Sequence, residues 1–338
     1  MIKVKVPGKL FIAGEYAVVN PGSQAIIAAV DSFIEVIIEE KKEFGTIFSD
    51  SITQEVLSWS RVDGKIKMFH NAKFSYVLSA IETLEELVDK RRFFSLQIFS
   101  QLSANDGQKY GLGSSGAVVV AVVKALNEFY QLNLSNLEIY KLSVIASRKI
   151  EKKGSAGDIA TSAFGCLIAY TSPDFEWVDK QKLSVRKMIT SPWEMLRIEP
   201  VNFPSNLEFL IGWTQKTAST PKLVTNVENR KEQKEYKSFI TQSNQCVALL
   251  ETALNSSNTK EIKEQIQENR RLLKNLQSLT GVEIETPKLT ELIGIAQKYG
   301  AFAKTSGAGG GDCGIALIEK TYERESLKKE WTEHGILP

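Results

Sequence analysis

The 338-residue chain is poor in the residues that staple small folds or hold metals. It has three cysteines, Cys166, Cys246 and Cys313, odd in number and far apart. That argues against a disulfide framework and fits a reducing compartment. Its two histidines, His70 and His334, form no metal-ligand spacing with the cysteines, which argues against a structural zinc site. Forty-two Lys and Arg stand against 40 Asp and Glu. The resulting charge of +2 points to neither nucleic acid nor an anionic membrane. No apolar run approaches the ~20 residues that span a bilayer. The N-terminal MIKVKVPGKLFIAGEYAVV is interrupted at Pro7, Gly8 and Lys9 and broken again by Glu15, so it does not read as a signal peptide. The expectation is a cytoplasmic protein, monomer or dimer, with no nucleic-acid or membrane partner.

What is present is ordinary globular material. Hydrophobic residues make up 43% and charged residues 24%, enough for a large core. The length favours two domains, and the turn at Ser191-Pro192 places the boundary near residue 195, giving 1–195 and 196–338. In the first half, strand-like and helix-like segments alternate. IKVKV (2–6) and residues 25–39 read as strands, and VLSWSRV and KIKMFH flank a hairpin turn at Asp63-Gly64. FSYVLSAIETLEELVDKR (74–91) has helical spacing, SLQIFSQL (95–102) alternates, and residues 134–153 open with the capping-box pair Ser135 and Glu138. In the second half, LEFLIGW (207–213) is a strand, 222–300 is charged and helical, 301–319 reads strand, glycine loop, strand, and 322–335 is a final amphipathic helix. No a/d heptad persists through the charged helices, which read as solvated faces and not as a coiled coil.

The stretch KYGLGSSGAVVVAVVKAL (109–126) carries chemistry. Gly111, Gly113 and Gly116 match G-x-G-x-x-G. A dinucleotide fingerprint needs a buried strand immediately before it and an acidic residue ~20 positions after. Here polar SANDGQKY precedes the loop, and the nearest strand candidate ends near Leu102. The Walker pattern fails as well, because no Gly-Lys-Ser/Thr follows. A loop that lets backbone N–H groups approach an anion remains, with the hydroxyls of Ser114 and Ser115 added. If the apolar element after it is a helix, its N-terminus turns partial positive charge toward a phosphate. A tight turn before a buried strand is the plainer reading, and two serines among three glycines speak against it.

Two further segments stand out. In PGKLFIAGEYAVV, Lys9 sits among small turn residues after a strand, where it could pair with a phosphate; a solvated strand-end lysine is the alternative. In KTSGAGGGDCG (304–314), five glycines fall between 307 and 314, which lets backbone pass close to a ligand or another segment. Taken in order, PGKLFIAGEYAV (7–18), GLGSSGA (111–117) and KTSGAGGGDCG resemble the three motifs of the superfamily of galactokinase, homoserine kinase, mevalonate kinase and phosphomevalonate kinase. Tyr16, KYGLGSSG, GWT (212–214) and SGAGGGDCGIAL are similar to its bacterial phosphomevalonate kinase subgroup. Gly116 stands where many members have Ala, and Asp106-Gly107 where a proline is usual. Neither departure is expected to threaten phosphate binding.

The resemblance implies an α+β, two-domain small-metabolite kinase fold. The first domain would be like ribosomal protein S5 domain 2, the second a ferredoxin-like αβ sandwich, with the active site in the cleft between them. It implies ATP and Mg²⁺ as cofactors and 5-phosphomevalonate as acceptor. Lys9 and Asp158, the latter in KKGSAGDIATSAFGC (152–166), become the catalytic pair, though Asp158 alone would read as a helix cap. Lys109, Gly111, Leu112, Gly113, Ser114, Ser115 and Gly116 would hold the ATP phosphates, with Ser115 also a metal ligand. Ser155, Trp213, Ser219, Thr220, Ser306, Gly307, Ala308 and Gly309 would line the acceptor site. Ser147 occupies the position of a Glu metal ligand in mevalonate kinases, so that ligand is missing. Arg148, Lys149, Lys152, Lys153, Lys216 and Lys222 are further cations, read mostly as surface charge. Mevalonate kinase and a non-catalytic sensor of the same fold are the competing functions; Lys9 and Asp158 argue against the sensor.

Overall fold

The computed structural model describes residues 1–63, 65–68, 71–103, 108–218, 223, 227 and 233–338. The first half is built on two long strands, β1 (Ile2–Ala13) and β2 (Gln24–Lys41), paired antiparallel. β1 runs straight through the Pro7-Gly8-Lys9 interruption. It does so by slipping register between Pro7 and Lys9 and again between Phe11 and Ala13. A proline, which cannot donate to a ladder, is tolerated at such an irregularity.

Around this pair lie β3 (Gly45–Ser49), β4 (Leu57–Val62), β5 (Lys65–Met68), β6 (Phe93–Ser100), β7 (Ile168–Thr171) and β8 (Arg197–Pro200). Among the described residues they form one sheet in the order β5-β4-β3-β6-β2-β7-β8, with β1 on β2. The expected boundary at 195 falls just before β8, yet β8 pairs with β7. The first sheet therefore reaches Pro200, and the chain leaves it before the next strand.

Helices α1 (Ser75–Leu84), α2 (Ser114–Tyr130), α3 (Asn136–Arg148) and α4 (Gly157–Phe164) pack on one another, and α2 and α4 lie on β1 and β2. α2 contains a run of valines, poor helix formers, but Val119, Val120, Val122 and Val123 are all fully buried. Burial on most sides overrides propensity here. α3 begins with the expected capping box, in which Ser135 accepts from the Glu138 N–H and Glu138 accepts from the Ser135 N–H. It stops at Arg148, short of the expected 153. Two short helices follow β7, α5 (Phe175–Lys180) and α6 (Val185–Thr190).

The second half comprises β9 (Leu207–Trp213), α7 (Lys234–Asn255), α8 (Thr259–Thr280), α9 (Pro287–Lys298), β10 (Phe302–Thr305), β11 (Cys313–Glu319) and α10 (Arg324–Glu333). The antiparallel sheet has the order β10-β11-β9, and Leu337 adds a single bridge to Trp213 on the free side of β9. Strand, helices, two strands, helix and a last extended residue reproduce the βαββαβ order of a ferredoxin-like layer. Its fourth strand is reduced to one residue pair. The largest hydrophobic cluster crosses from Val6, Ile26 and Val120 to Trp213, Ile315 and Leu317, so one face of the second sheet shares its interior with the first, while Leu210, Ala303, Ala316 and Ile318 pack in a separate cluster with Leu289, Leu292 and Trp331. Among the described residues no helix is long and apolar enough to cross a membrane.

Candidate active site

The phosphate loop ends in a real helix. Gly113 is the N-cap of α2, in a left-handed conformation at φ 77°, and no side chain caps it. The first intrahelical bond runs from Ala117 N–H to Gly113 O at 3.0 Å, so the N–H groups of the preceding turn have no helical acceptor. No acidic side chain occupies that turn. Ser114 is half-buried and Ser115 exposed. Donors, helix dipole and hydroxyls thus converge on an open position suited to an anion.

β1 delivers Lys9 to this loop. Its main-chain N–H donates to Leu112 O at 2.9 Å, and its ammonium donates to Gly111 O at 3.0 Å. α4 delivers Asp158 in its first turn. The side chains meet at the glycines: a Cβ on Gly113 would lie 3.0 Å from Lys9 Cε and 3.3 Å from Asp158 Cβ. A Cβ on Gly116 would lie 2.6 Å from Asp158 Oδ2. Gly116 therefore does more than loosen the loop; it makes the space that the carboxylate occupies.

Lys9 and Asp158 form no direct ion pair, contrary to the simplest form of the expected pairing; the ammonium is bonded to the loop instead. They are coupled through space. Burial pushes the Lys9 ammonium below its usual range, and Asp158 is the strongest influence pulling it back. Burial pushes the Asp158 carboxyl up, and Lys9 opposes that shift. Behind Asp158, the hydroxyls of Tyr140 and Tyr170 bond each other at 3.0 Å, and Tyr170 also donates to Ser155 O. This fixes the turn before α4, where Ala156 is left-handed at φ 56°.

The third glycine loop is a clamp. Ser306 is buried and donates to Phe11 O at 2.8 Å, and the Tyr16 hydroxyl donates to Ala308 O. A Cβ on Gly309 would lie 2.1 Å from Ile284 O, while a Cβ on Gly307 would meet nothing within 4 Å. In these residues, expected at the acceptor, the Ser306 hydroxyl and the Ala308 carbonyl are thus engaged with the protein itself, and Gly309 packs on Ile284 O, which accepts from Gly310 N–H at 2.9 Å. At the centre, Lys304 and Glu15, 0% and 2% exposed, form an ion pair at 2.5 Å across the two halves. Lys304 also donates to Thr305 O at 2.6 Å.

Trp213, also expected at the acceptor, is buried edge-on against Tyr110 with ring centroids 4.6 Å apart. It braces the phosphate loop from behind. Ser155 is half-buried, its Oγ accepting from Gly157 N–H at 3.3 Å. Lys109 is exposed beside the loop and pairs with Ser103 only as a β-bridge. Arg148 is committed to Asp179 at 2.9 Å and Lys149 to Glu86 at 2.9 Å, while Lys152 lies 3.6 Å from Asp179. Lys216 is exposed. Ser219, Thr220 and Lys222 lie outside the described residues. His334 pairs with Glu291 at 2.6 Å, and the three cysteines are free.

Sequence reasoning missed Asp312, whose carboxylate lies against Gly111: a Cβ there would fall 2.7 Å from Asp312 Oδ2. After Asp158, Asp312 is the next strongest influence on Lys9. A charged residue closing a run of three glycines was the available signal.

The geometry agrees with the comparisons. Residues 75–166 match the model of the GHMP kinases N terminal domain and residues 250–337 that of GHMP kinases C terminal. A phosphomevalonate kinase from Streptomyces sp. (strain CL190) is 36% identical, covering 98% of this chain and 94% of its own. The crystal structure of a Lin0012 protein from Listeria innocua has TM-score 0.93 at 36% identity, over 99% of this chain and 96% of that one. Streptococcus pneumoniae phosphomevalonate kinase, solved in complex with phosphomevalonate and AMPPNP, has TM-score 0.86 at 32% identity, over 99% and 98%. With both halves of the family model matched, and full-length relatives above 30% identity, the chain belongs to the GHMP kinases.

Proposed function

We propose that the chain is a phosphomevalonate kinase, transferring the terminal phosphoryl group of ATP to 5-phosphomevalonate to give 5-diphosphomevalonate and ADP. The observation that carries this is Lys9 and Asp158 closing on Gly113 at the uncapped end of α2, in a chain similar over nearly its whole length to phosphomevalonate kinases. Cytoplasmic location fits the same reading.

Phosphoryl transfer depends chiefly on positioning and charge stabilisation. The first-turn N–H groups of α2, with Ser114, hold the ATP phosphates; Lys109 stands at the exposed rim of the loop. Lys9 neutralises charge on the moving group. Asp158 faces the acceptor oxygen, and Thr214–Ala218 leads in the chain to Ser219 and Thr220, the expected acceptor contacts. A phosphate acceptor has a second pKa near ~6 and is largely deprotonated at neutral pH. Asp158 therefore orients the acceptor more than it removes a proton.

Mg²⁺ would offset the charge of the ATP phosphates. The exposed Ser115 hydroxyl fits such an ion. Among the described residues no group of three or more His, Cys, Asp or Glu stands together, so Ser115 would be the ligand from the phosphate loop. At the position of the missing carboxylate, the Ser147 hydroxyl is buried without a partner among the described residues.

The test is ADP release with Mg-ATP and either mevalonate or 5-phosphomevalonate. Turnover confined to the phosphorylated acceptor is expected. Turnover confined to mevalonate would replace this reading with mevalonate kinase, and nucleotide binding without turnover would replace it with a sensor.

A further inference from the structure

Asp312 ties the phosphate loop to the segment that follows β9. Its N–H donates to Lys216 O at 2.6 Å, and its carbonyl accepts from both the N–H and the hydroxyl of Thr214 at 2.9 Å. Its Oδ1 accepts from Ala218 N–H at 3.1 Å. One residue thus makes four hydrogen bonds to Thr214–Ala218, and only the last depends on its side chain. The rest of the carboxylate rests on Gly111, where it leaves no room for a Cβ. The neighbouring Cys313 thiol donates to Tyr110 O at 3.2 Å, adding a second link to the same loop.

The backbone at Asp312 is left-handed, at φ 50°, directly after three glycines that also have positive φ. The chain uses glycine for such conformations at every preceding step and a carboxylate at this one. Asp tolerates the conformation better than most side chains, but glycine would tolerate it at no steric cost. The two site carboxylates also divide the loop between them, Asp312 at Gly111 and Asp158 at Gly113 and Gly116.

We propose that Asp312 is a positioning residue that couples nucleotide binding to acceptor binding, by transmitting order between the phosphate loop and Thr214–Ala218 through its side chain. The inference rests on the reading of the site as one for ATP and a phosphorylated acceptor. Nucleotide phosphates that fix Gly111 fix the carboxylate lying on it, and through it Ala218 N–H. By linkage the acceptor then strengthens nucleotide binding by the same factor.

The experiment is calorimetric titration of the full chain with 5-phosphomevalonate, with and without saturating Mg-AMPPNP, for the wild type, Asp312→Asn and Asp312→Ala. In the wild type each ligand is expected to tighten the other by about fivefold or more. Asp312→Asn keeps an acceptor oxygen for Ala218 N–H and should keep most of that factor. Asp312→Ala should bring it to about one, while each ligand alone binds within a few-fold of wild type. A wild type without coupling, full coupling in Asp312→Ala, or equal loss in both variants would overturn the proposal. If Asp312→Ala does not fold, the near-isosteric Asn variant still decides, since its loss of coupling would count against the hydrogen bond. Wild-type turnover of 5-phosphomevalonate is measured alongside: its absence removes the functional reading, whereas turnover without coupling removes only the role of Asp312.

Discussion

Two glycine-rich loops converge on this site, and they use glycine differently. In residues 111–116 the space left by missing side chains is filled by functional ones: Asp312 at Gly111, Lys9 and Asp158 at Gly113, Asp158 at Gly116. In residues 307–311 the close neighbours of Gly309 and Gly311 are backbone carbonyls, of Ile284 and Lys216. The first loop makes room for chemistry, and the second lets main chains from distant parts of the molecule pass close together. A glycine run shows that something comes close; the identity of what comes close decides whether the motif binds or braces.

The comparison can be broken at several points. The largest effect is expected from the residues that fill the first loop. Asp158→Asn and Lys9→Met should each lower kcat by about 10²–10⁴, with nucleotide affinity by calorimetry within a few-fold for Asp158→Asn. At the bracing loop, Lys304→Met strands the buried Glu15 carboxylate and should cost about 3–5 kcal/mol in denaturant unfolding. Adding Glu15→Gln should recover part of that loss.

A matched pair of glycine substitutions sharpens the contrast. Gly309→Ala forces a Cβ onto Ile284 O at φ 68° and should cost about 2 kcal/mol or more of stability. Gly116→Ala pushes chiefly on the Asp158 carboxylate, with Ile159 Cγ1 next at 3.1 Å, and should lower kcat roughly tenfold, with stability changed by less than about 1 kcal/mol. If Gly116→Ala unfolds the protein and leaves kcat alone, the two loops do not differ as described.

The smallest effect is in pH dependence. The Lys9 ammonium is lowered by burial, so activity should fall as pH rises through a point below the ordinary lysine value of ~10.4. Lys9→Arg, whose guanidinium stays charged, should lack that basic limb whatever its kcat. Cys313, pushed up to about 12, lies too high to supply it.

Much of the site was legible because its parts are local. The phosphate loop, the capping box at Ser135 and the small-residue turn before Asp158 are written in consecutive residues. What was not legible depends on partners far apart in sequence. Glu15 and Lys304 are 289 positions apart, and neither looks unusual alone. Ser306, Ala308 and Gly309 lie in a motif shared with ligand-binding loops, but the Ser306 hydroxyl is taken by Phe11 O, the Ala308 carbonyl by the Tyr16 hydroxyl, and Gly309 packs on Ile284 O. Pro7 and Gly8 read as an interruption because the register slip that carries them through β1 exists only once β2 is beside it. Residues 197–200 fall past the expected boundary because only the ladder of β8 to β7 shows which sheet they join.

The Glu15–Lys304 pair also sets an order of events during synthesis. A ribosome releases the first and second motifs early, and β1, which carries Lys9, could pair with β2 within the first fifty residues. The buried carboxylate of Glu15, however, has no Lys304 to pair with until 289 further residues have been made. Domains generally fold as units as they emerge. Here the carboxylate at the centre of the first unit gains its buried partner only when the second sheet arrives.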